Sequence, residues 1–178
     1  MPRARLIVIN GPPACGKTTL VRRYADAHPP ALHLDISALR ELIGGWQADP
    51  VGTRLLARNI ALAAARLHLS AGHDVVAGQF LSRPSFYGQL ADLAKEAGAS
   101  FREIVLMDSK QNALARFAAR ELAETGQPAR MTPARVAKLS RMHDDLVAAT
   151  AARPEARLVQ SRQGEADRTY ADLLDALA

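Results

Sequence analysis

An unbroken apolar run, Leu6-Ile7-Val8-Ile9, leads through Asn10 into GPPACGKTT, residues Gly11 to Thr19. That order calls for a short buried strand, a glycine-bounded turn, and a helix whose first residues carry a lysine and a hydroxyl. Gly11, Gly16, Lys17 and Thr18 fill the spacing G-x-x-x-x-G-K-[ST]. Glycines let the backbone curl so that successive N–H groups face inward, and the following helix points its positive end at the same place. A concavity of this kind takes phosphate oxygens. Gly11, Pro12, Pro13, Ala14, Cys15, Gly16, Lys17, Thr18 and Thr19 are therefore read as a nucleotide-binding loop. Lys17 is expected to reach the β- and γ-phosphates of ATP, and Thr18 to give its hydroxyl to Mg²⁺.

At 178 residues the chain has the length of one domain, 1–178, and can bury a core without staples. The lone cysteine, Cys15, lies inside the loop and argues against a disulfide framework. No secretory leader pattern and no transmembrane-length apolar run is present, so a cytoplasmic protein without membrane contact is expected. The net charge of +5 rests mostly on arginine, whose fork suits phosphate. Aromatics, at 4%, are too few to stack single-stranded nucleic acid, and a nucleic-acid partner is not indicated. The five histidines show no metal-ligand spacing. Oligomeric state is not legible.

Apolar runs and helical periodicities alternate along the chain. Strands are predicted at Leu6–Ile9, Ala31–Asp35, Asp74–Gly78, Phe101–Met107 and Arg157–Gln160. Helices are predicted at Thr18–Ala27, Ile36–Ile43, about Thr53–Ser70, Pro84–Ala97, Ser109–Glu124, Pro133 to about Ala151, and Tyr170–Leu177. In the third of these Leu55, Leu56, Ile60, Ala63 and Leu67 recur at near-helical spacing. The alternation implies an α/β fold, a five-stranded parallel sheet with helices on both faces. Ligands in such sheets sit beyond the carboxyl ends of the strands.

Residues following strands are accordingly the candidates. Asp35 follows the second strand and suits the role of general base for an attacking hydroxyl, while also being a favoured helix cap. Arg40 is placed to grip a substrate phosphate or carboxylate. Gln79, and Arg83 beyond it, would line the acceptor side. Asp108 ends an apolar run, but Asp108-x-x-Gln111 spells a capping box, and the cap is the preferred reading. With no acid ending the third strand, Mg²⁺ is left to Thr18, water and the phosphates, with Asp35 as an outer contact. Arg116 and Arg120, followed by Gly126-Gln127-Pro128, have the makings of a cationic lid at about 109–135. Trp46 is a candidate pocket wall or plain packing.

Taken together, NGPPACGKTTL, HLDISALRELIG, DVVAGQFLSRPSFYGQLADLAKEAG and FREIVLMDSKQNALARFAAREL resemble the small P-loop kinase superfamily. The likeness is greatest to the branch with zeta toxins, chloramphenicol phosphotransferase, gluconate kinase and polynucleotide kinases. It implies a P-loop NTPase fold with strand order 2-3-1-4-5 and a helical lid. It also implies base and substrate-binding roles for Asp35 and Arg40, and ATP contact by Arg116 and Arg120. The expected activity is ATP- and Mg²⁺-dependent transfer of the γ-phosphoryl group to a hydroxyl of a small molecule. A toxin-like nucleotide-sugar kinase and a non-catalytic ATP-binding regulator are the alternatives.

Overall fold

The computed structural model describes residues 3–82 and 84–178. Five strands form one parallel sheet in the order β2-β3-β1-β4-β5. They are β1 (Arg5–Asn10), β2 (Leu32–Leu34), β3 (Val75–Gln79), β4 (Ser100–Met107) and β5 (Arg157–Gln160). Among the described residues seven helices accompany them: α1 (Lys17–Ala27), α2 (Ile36–Glu41), α3 (Pro50–Ser70), α4 (Pro84–Glu96), α5 (Lys110–Thr125), α6 (Pro133–Ala151) and α7 (Ala166–Leu177). The apolar runs read as buried strands are so because parallel strands covered on both faces need apolar residues at successive positions. Leu6 to Ile9 and Ile104 to Leu106 are all fully buried.

The chain divides into two compact units. The first holds residues up to Val8, Val21–Gly78 and Ser85–Arg102. Here Asp74 accepts hydrogen bonds from the Arg5 backbone N–H (2.8 Å), Arg5 Nε (3.1 Å) and the Tyr24 hydroxyl (2.7 Å), fixing the start of β1 beside that of β3. The face that α3 buries is its alanine row rather than its leucine stripe. Thr53, Ala57, Ala61, Ala65 and Leu69 are its buried residues, at strict four-residue spacing. Leu55, Leu56, Ile60 and Leu67 are exposed, Leu67 to 77%. α3 packs on α2 and β2 through its alanines, whose small side chains let the backbones approach closely; the bulkier stripe is left outside.

The second unit holds Ile9–Leu20, Gln79–Pro84 and Glu103–Ala178. Its core includes Ile9, Leu20, Leu146, Val159 and Leu173. α5 packs against α6, and α7 against β5. α7 begins at Ala166, earlier than expected, because its N-cap Glu165 makes no side-chain capping bond and so carries no sequence signature. Among the described residues no helix is long and apolar enough to cross a membrane.

Candidate functional site

The loop between β1 and α1 curls tightly. A Cβ added at Gly11 would meet Cys15 Sγ at 2.5 Å and the Leu106 carbonyl oxygen at 3.0 Å, so only glycine fits there. Ala14 and Gly16 take left-handed φ values of 64° and 92°. A non-glycine residue in that region costs about 1 kcal/mol or more, and the surrounding bonds hold it in place. Lys17 supplies two of them, its Nζ donating to the carbonyls of Gly11 (2.9 Å) and Pro12 (2.7 Å). Burial pushes the Lys17 ammonium below its ordinary pKa; the nearby Cys15 thiol opposes that shift and Arg120 adds to it. A desolvated cation facing backbone carbonyls is short of an anion, and phosphate oxygens would supply one. Thr18 lies exposed in the first turn of α1, its hydroxyl free for a phosphate-bound cation.

Two cavities open from the loop. One of about 420 Å³ is bounded by Ala14 to Thr19, Arg120 and Glu124. The other, about 280 Å³, is bounded by Leu20, Arg116, Ala119, Ala166 and the turn from Ser161 to Gly164, and shares Ala14, Cys15 and Gly16 with the first. The chemistry differs: Lys17, Arg120 and Glu124 flank the first, whereas the second is the more apolar of the two, with Leu20, Ala119 and Ala166 beside the polar side chains of Arg116, Arg162 and Gln163.

Arg116 sits where the second cavity meets β5. Its Nη1 donates to Ser161 Oγ (2.7 Å) and its Nη2 to the Ser161 carbonyl (3.1 Å), while Ser161 Oγ donates to the Cys15 carbonyl (2.8 Å). Nη2 also pairs with Asp108 Oδ2 at 3.1 Å, the two side chains being 9% and 7% exposed. This corrects the reading of Asp108 as a helix cap. Ser109 is the N-cap of α5, accepting from the Asn112 N–H, while Asp108 gives Oδ2 to the ion pair and accepts at Oδ1 from the Ser109 N–H (2.7 Å) and Asn112 Nδ2 (2.8 Å). A hydroxyl caps as well as a carboxylate, and the buried guanidinium needs the charge more. Arg120 is different: it forms an exposed i,i+4 pair with Glu124 at 2.7 Å.

Arg116 and Arg120 should therefore part company in stability. Arg116→Ala takes the cation from Asp108, whose Oδ1 keeps the Ser109 N–H and the Asn112 amide, and leaves Ser161 without its guanidinium; it should lower unfolding free energy by about 2–4 kcal/mol. Arg120→Ala should cost under about 0.5 kcal/mol. Urea midpoints measured on both variants check this, and equal shifts would contradict it.

Sequence reasoning missed a buried network beside the loop. The Asn10 side chain donates from Nδ2 to the Leu81 carbonyl (3.1 Å) and Glu103 Oε1 (2.7 Å), and its Oδ1 accepts from the N–H groups of Leu81 (2.8 Å) and Gly11 (2.8 Å). Arg153 Nη1 donates to the Leu81 carbonyl (3.1 Å) and to Glu103 Oε1 (2.8 Å). One amide thus clasps both the first residue of the phosphate loop and the segment following β3. Glu103 within the apolar run of β4 was the available signal, since a carboxylate in an inner strand needs a partner.

In the first unit, Asp35 caps α2, its Oδ1 accepting from the N–H groups of Ser37 (2.9 Å) and Ala38 (3.1 Å). Arg40 stands in the last turn of that helix, its guanidinium 4.7 Å from the centre of the Trp46 ring. Gln79 closes β3, half-buried. Arg83 lies outside the described residues. Lys17, Thr18, Arg116 and Arg120 all belong to the second unit, and Asp35 and Arg40 to the first.

Comparison with known proteins places this geometry. Residues 6–146 match the AAA_33 family, described as an AAA domain. No curated protein matches the chain. Among solved structures, the gluconokinase from Sinorhizobium meliloti 1021 is similar with a TM-score of 0.59 at 16% identity, over 99% of this chain and 97% of that one. The Deinococcus radiodurans tunicamycin resistance protein is similar at 0.66 and 16%, over 99% and 96%. The Mycobacterium tuberculosis APS kinase CysC, solved with AMPPNP and APS, is similar at 0.61 and 17%, over 99% of each. At such identities these structures share the fold. With its family match spanning most of its length, the chain belongs to the AAA_33 family and carries the P-loop kinase fold.

Proposed function

We propose that the protein is an ATP- and Mg²⁺-dependent kinase that moves the γ-phosphoryl group of ATP to a hydroxyl of a small molecule. The observation that carries this reading is the loop Gly11–Thr19 with Lys17 desolvated against its own carbonyls, opening on two adjoining cavities. The charged one suits the triphosphate and the more apolar one the nucleobase. Thr18 and the phosphates would hold Mg²⁺, with Asp35 as an outer contact, and the ion would supply neutralising charge to the phosphates. Asp108 is committed to Arg116.

The chemistry asked of the side chains is modest, because phosphoryl transfer is governed by positioning and charge. Asp35 receives the acceptor's proton as its oxygen bonds to the γ-phosphorus and the bond to the β-phosphate oxygen breaks, releasing ADP. Only Oδ1 is engaged in capping, which leaves Oδ2 for that proton. Lys17 and Arg120 stabilise charge spread over the transferring group. Gln79 and Arg83 would contact the acceptor. The chain acts as one domain, 1–178, with a lid at about 109–135. An ATP-dependent panel of hydroxyl compounds, spanning sugars, sugar acids, nucleosides, nucleotide sugars and antibiotics, tests the reading by ADP formation above the acceptor-free rate. Release of ADP with no acceptor accelerating it would point to a nucleotide-binding regulator.

The lid should respond to nucleotide. Arg116 is anchored by Ser161 and Asp108, whereas beyond it Arg120 is exposed and α5 ends at Gly126 in a left-handed cap with φ 70°. Hydrogen exchange should slow in the outer half of α5 and the loop to Arg130 on binding an ATP analogue. If the phosphate loop becomes protected and this segment does not, the lid assignment fails.

A further inference from the structure

Asn10 ends β1 after Leu6-Ile7-Val8-Ile9 and is wholly buried, yet its amide has no hydrogen-bonding capacity left over. Nδ2 donates to the Leu81 carbonyl (3.1 Å) and Glu103 Oε1 (2.7 Å), and Oδ1 accepts from the N–H groups of Leu81 (2.8 Å) and Gly11 (2.8 Å). A side-chain amide has two donors and two acceptor positions, and all are used. Both backbone groups of Leu81 go to this one side chain. Leu81 is thereby bound as a strand residue is bound by its neighbour, although an amide and not a strand supplies the partners. β1 and β3 already adjoin in the sheet. The clasp acts beyond the last residue of β3, where the segments that meet ligands leave the strands.

The same amide stands one step from the phosphates. Gly11 gives its N–H to Asn10, and its carbonyl accepts from Lys17 Nζ (2.9 Å). A phosphate oxygen that takes Lys17 competes with that carbonyl for it. The first residue of the loop is therefore held between the group that answers to nucleotide and the group that holds Leu81. Leu81 in turn lies two residues beyond Gln79, the side chain placed on the acceptor side. Behind the amide, Arg153 Nη1 donates to the Leu81 carbonyl (3.1 Å) and to Glu103 Oε1 (2.8 Å), the Arg153 and Glu103 side chains being 9% and 1% exposed. Glu103 Oε2 is buried and accepts no hydrogen bond. Water has no access to repair a wrong partner in such a network, so its members keep one arrangement.

We propose that Asn10 is a positioning residue for the acceptor side: it locks the segment after β3 to the phosphate loop, so that nucleotide bound at the loop also orders residues 79–82. This rests on the kinase reading, with Gln79 on the acceptor side, and adds to it a route by which nucleotide prepares the acceptor contact. Coupling of this kind is reciprocal, and whatever fixes residues 79–82 tightens nucleotide in return.

Hydrogen exchange read amide by amide by NMR on the isotope-labelled full chain, with Mg²⁺ and AMPPNP as the probe, tests this. Val76 in the core of β3 reports the slowing that any ligand gives to opening of the whole fold. In the wild type, AMPPNP should slow Leu81 about tenfold more than it slows Val76, together with the phosphate loop. Asn10→Asp keeps size but turns both donated bonds into contacts between oxygens, one of them carboxylate against carboxylate at Glu103; the excess slowing at Leu81 should fall below about threefold while the loop stays protected. Adding Glu103→Gln to Asn10→Asp reverses donor and acceptor between the two side chains, keeps one carboxylate in the network, and should recover most of the excess. Leu69→Ala opens a cavity in the first unit, away from the clasp, and should keep the excess in full. A purely structural role for Asn10 would make the two destabilised single variants behave alike. No excess slowing at Leu81 in the wild type, with the loop protected, overturns the proposal whether or not Asn10→Asp folds. Excess retained in Asn10→Asp, lost equally in Leu69→Ala, or not recovered in the double variant also overturns it. Each of these leaves the kinase reading in place, whereas AMPPNP failing to protect the loop removes that reading and this one together.

Discussion

Lys17→Ala should cut ATP-dependent phosphoryl transfer by about a thousandfold, the scale on which loss of a phosphate-binding cation acts in this chemistry. The argument runs through the present state of the side chain. Lys17 Nζ is turned onto the carbonyls of Gly11 and Pro12, and burial has pushed its pKa below the ordinary 10.5. Because the folded pKa lies below the unfolded one, the protonated lysine opposes folding at neutral pH, and that opposition fades as pH rises through the folded pKa towards the unfolded value. Alanine removes the opposition along with three hydrogen bonds, to the Gly11 and Pro12 carbonyls and to Cys15 Sγ. These changes offset one another, so the thermal midpoint should move by no more than a few degrees, on the order of 1 kcal/mol. Activity and stability are thereby separated in a single variant. Initial rates of ADP formation with an acceptor from the panel, measured beside a melting curve, check both halves. Near-wild-type turnover would remove Lys17, and with it the loop, from the mechanism.

How much of this was legible in the sequence depended on whether the signal was local. Gly11, Gly16, Lys17 and Thr18 carry their chemistry in a fixed spacing, and the loop has the strand before it and helix after it that the spacing demands. The caps of α3 and α6 stand in the sequence as Asp49-Pro50 and Thr132-Pro133, residue types with one preferred use. The strand order followed from the family resemblance. Where two local signals compete, tertiary demand decides. Asp108 and Ser109 are both good caps, and only the presence of Arg116, eight residues beyond Asp108 and buried against Ser161, withdraws the aspartate from that role. The leucine periodicity of α3 does not mark its buried face, for a related reason. Periodicity ranks leucine above alanine, yet close helix packing selects the small side chain, and Ala57, Ala61 and Ala65 take the interior. Asn10 was invisible because two of its three partner residues, Leu81 and Glu103, lie far along the chain. Trp46 and Arg40 each stood out in the sequence, but the packing of one over the other did not.

Asp35→Asn should leave ATP affinity within a few-fold and lower acceptor turnover by about a hundredfold or more. The substitution is close to isosteric, and the two oxygens of Asp35 have separate employment. Oδ1 accepts from the N–H groups of Ser37 and Ala38, and the amide oxygen of asparagine can accept the same two bonds. Asparagine and aspartate cap helices about equally well, so α2 should keep its start and the thermal midpoint should hold. What asparagine cannot do is take a proton from a hydroxyl at Oδ2. A residue that only caps would therefore survive the exchange in both stability and rate, whereas a base survives it in stability alone. Arg40, in the last turn of the same short helix, stays where it is, so the change in rate is not a displaced substrate contact in disguise. Measuring nucleotide affinity, melting midpoint and acceptor turnover on one preparation separates the possibilities, and undiminished turnover in the variant would leave Asp35 a helix cap and nothing more.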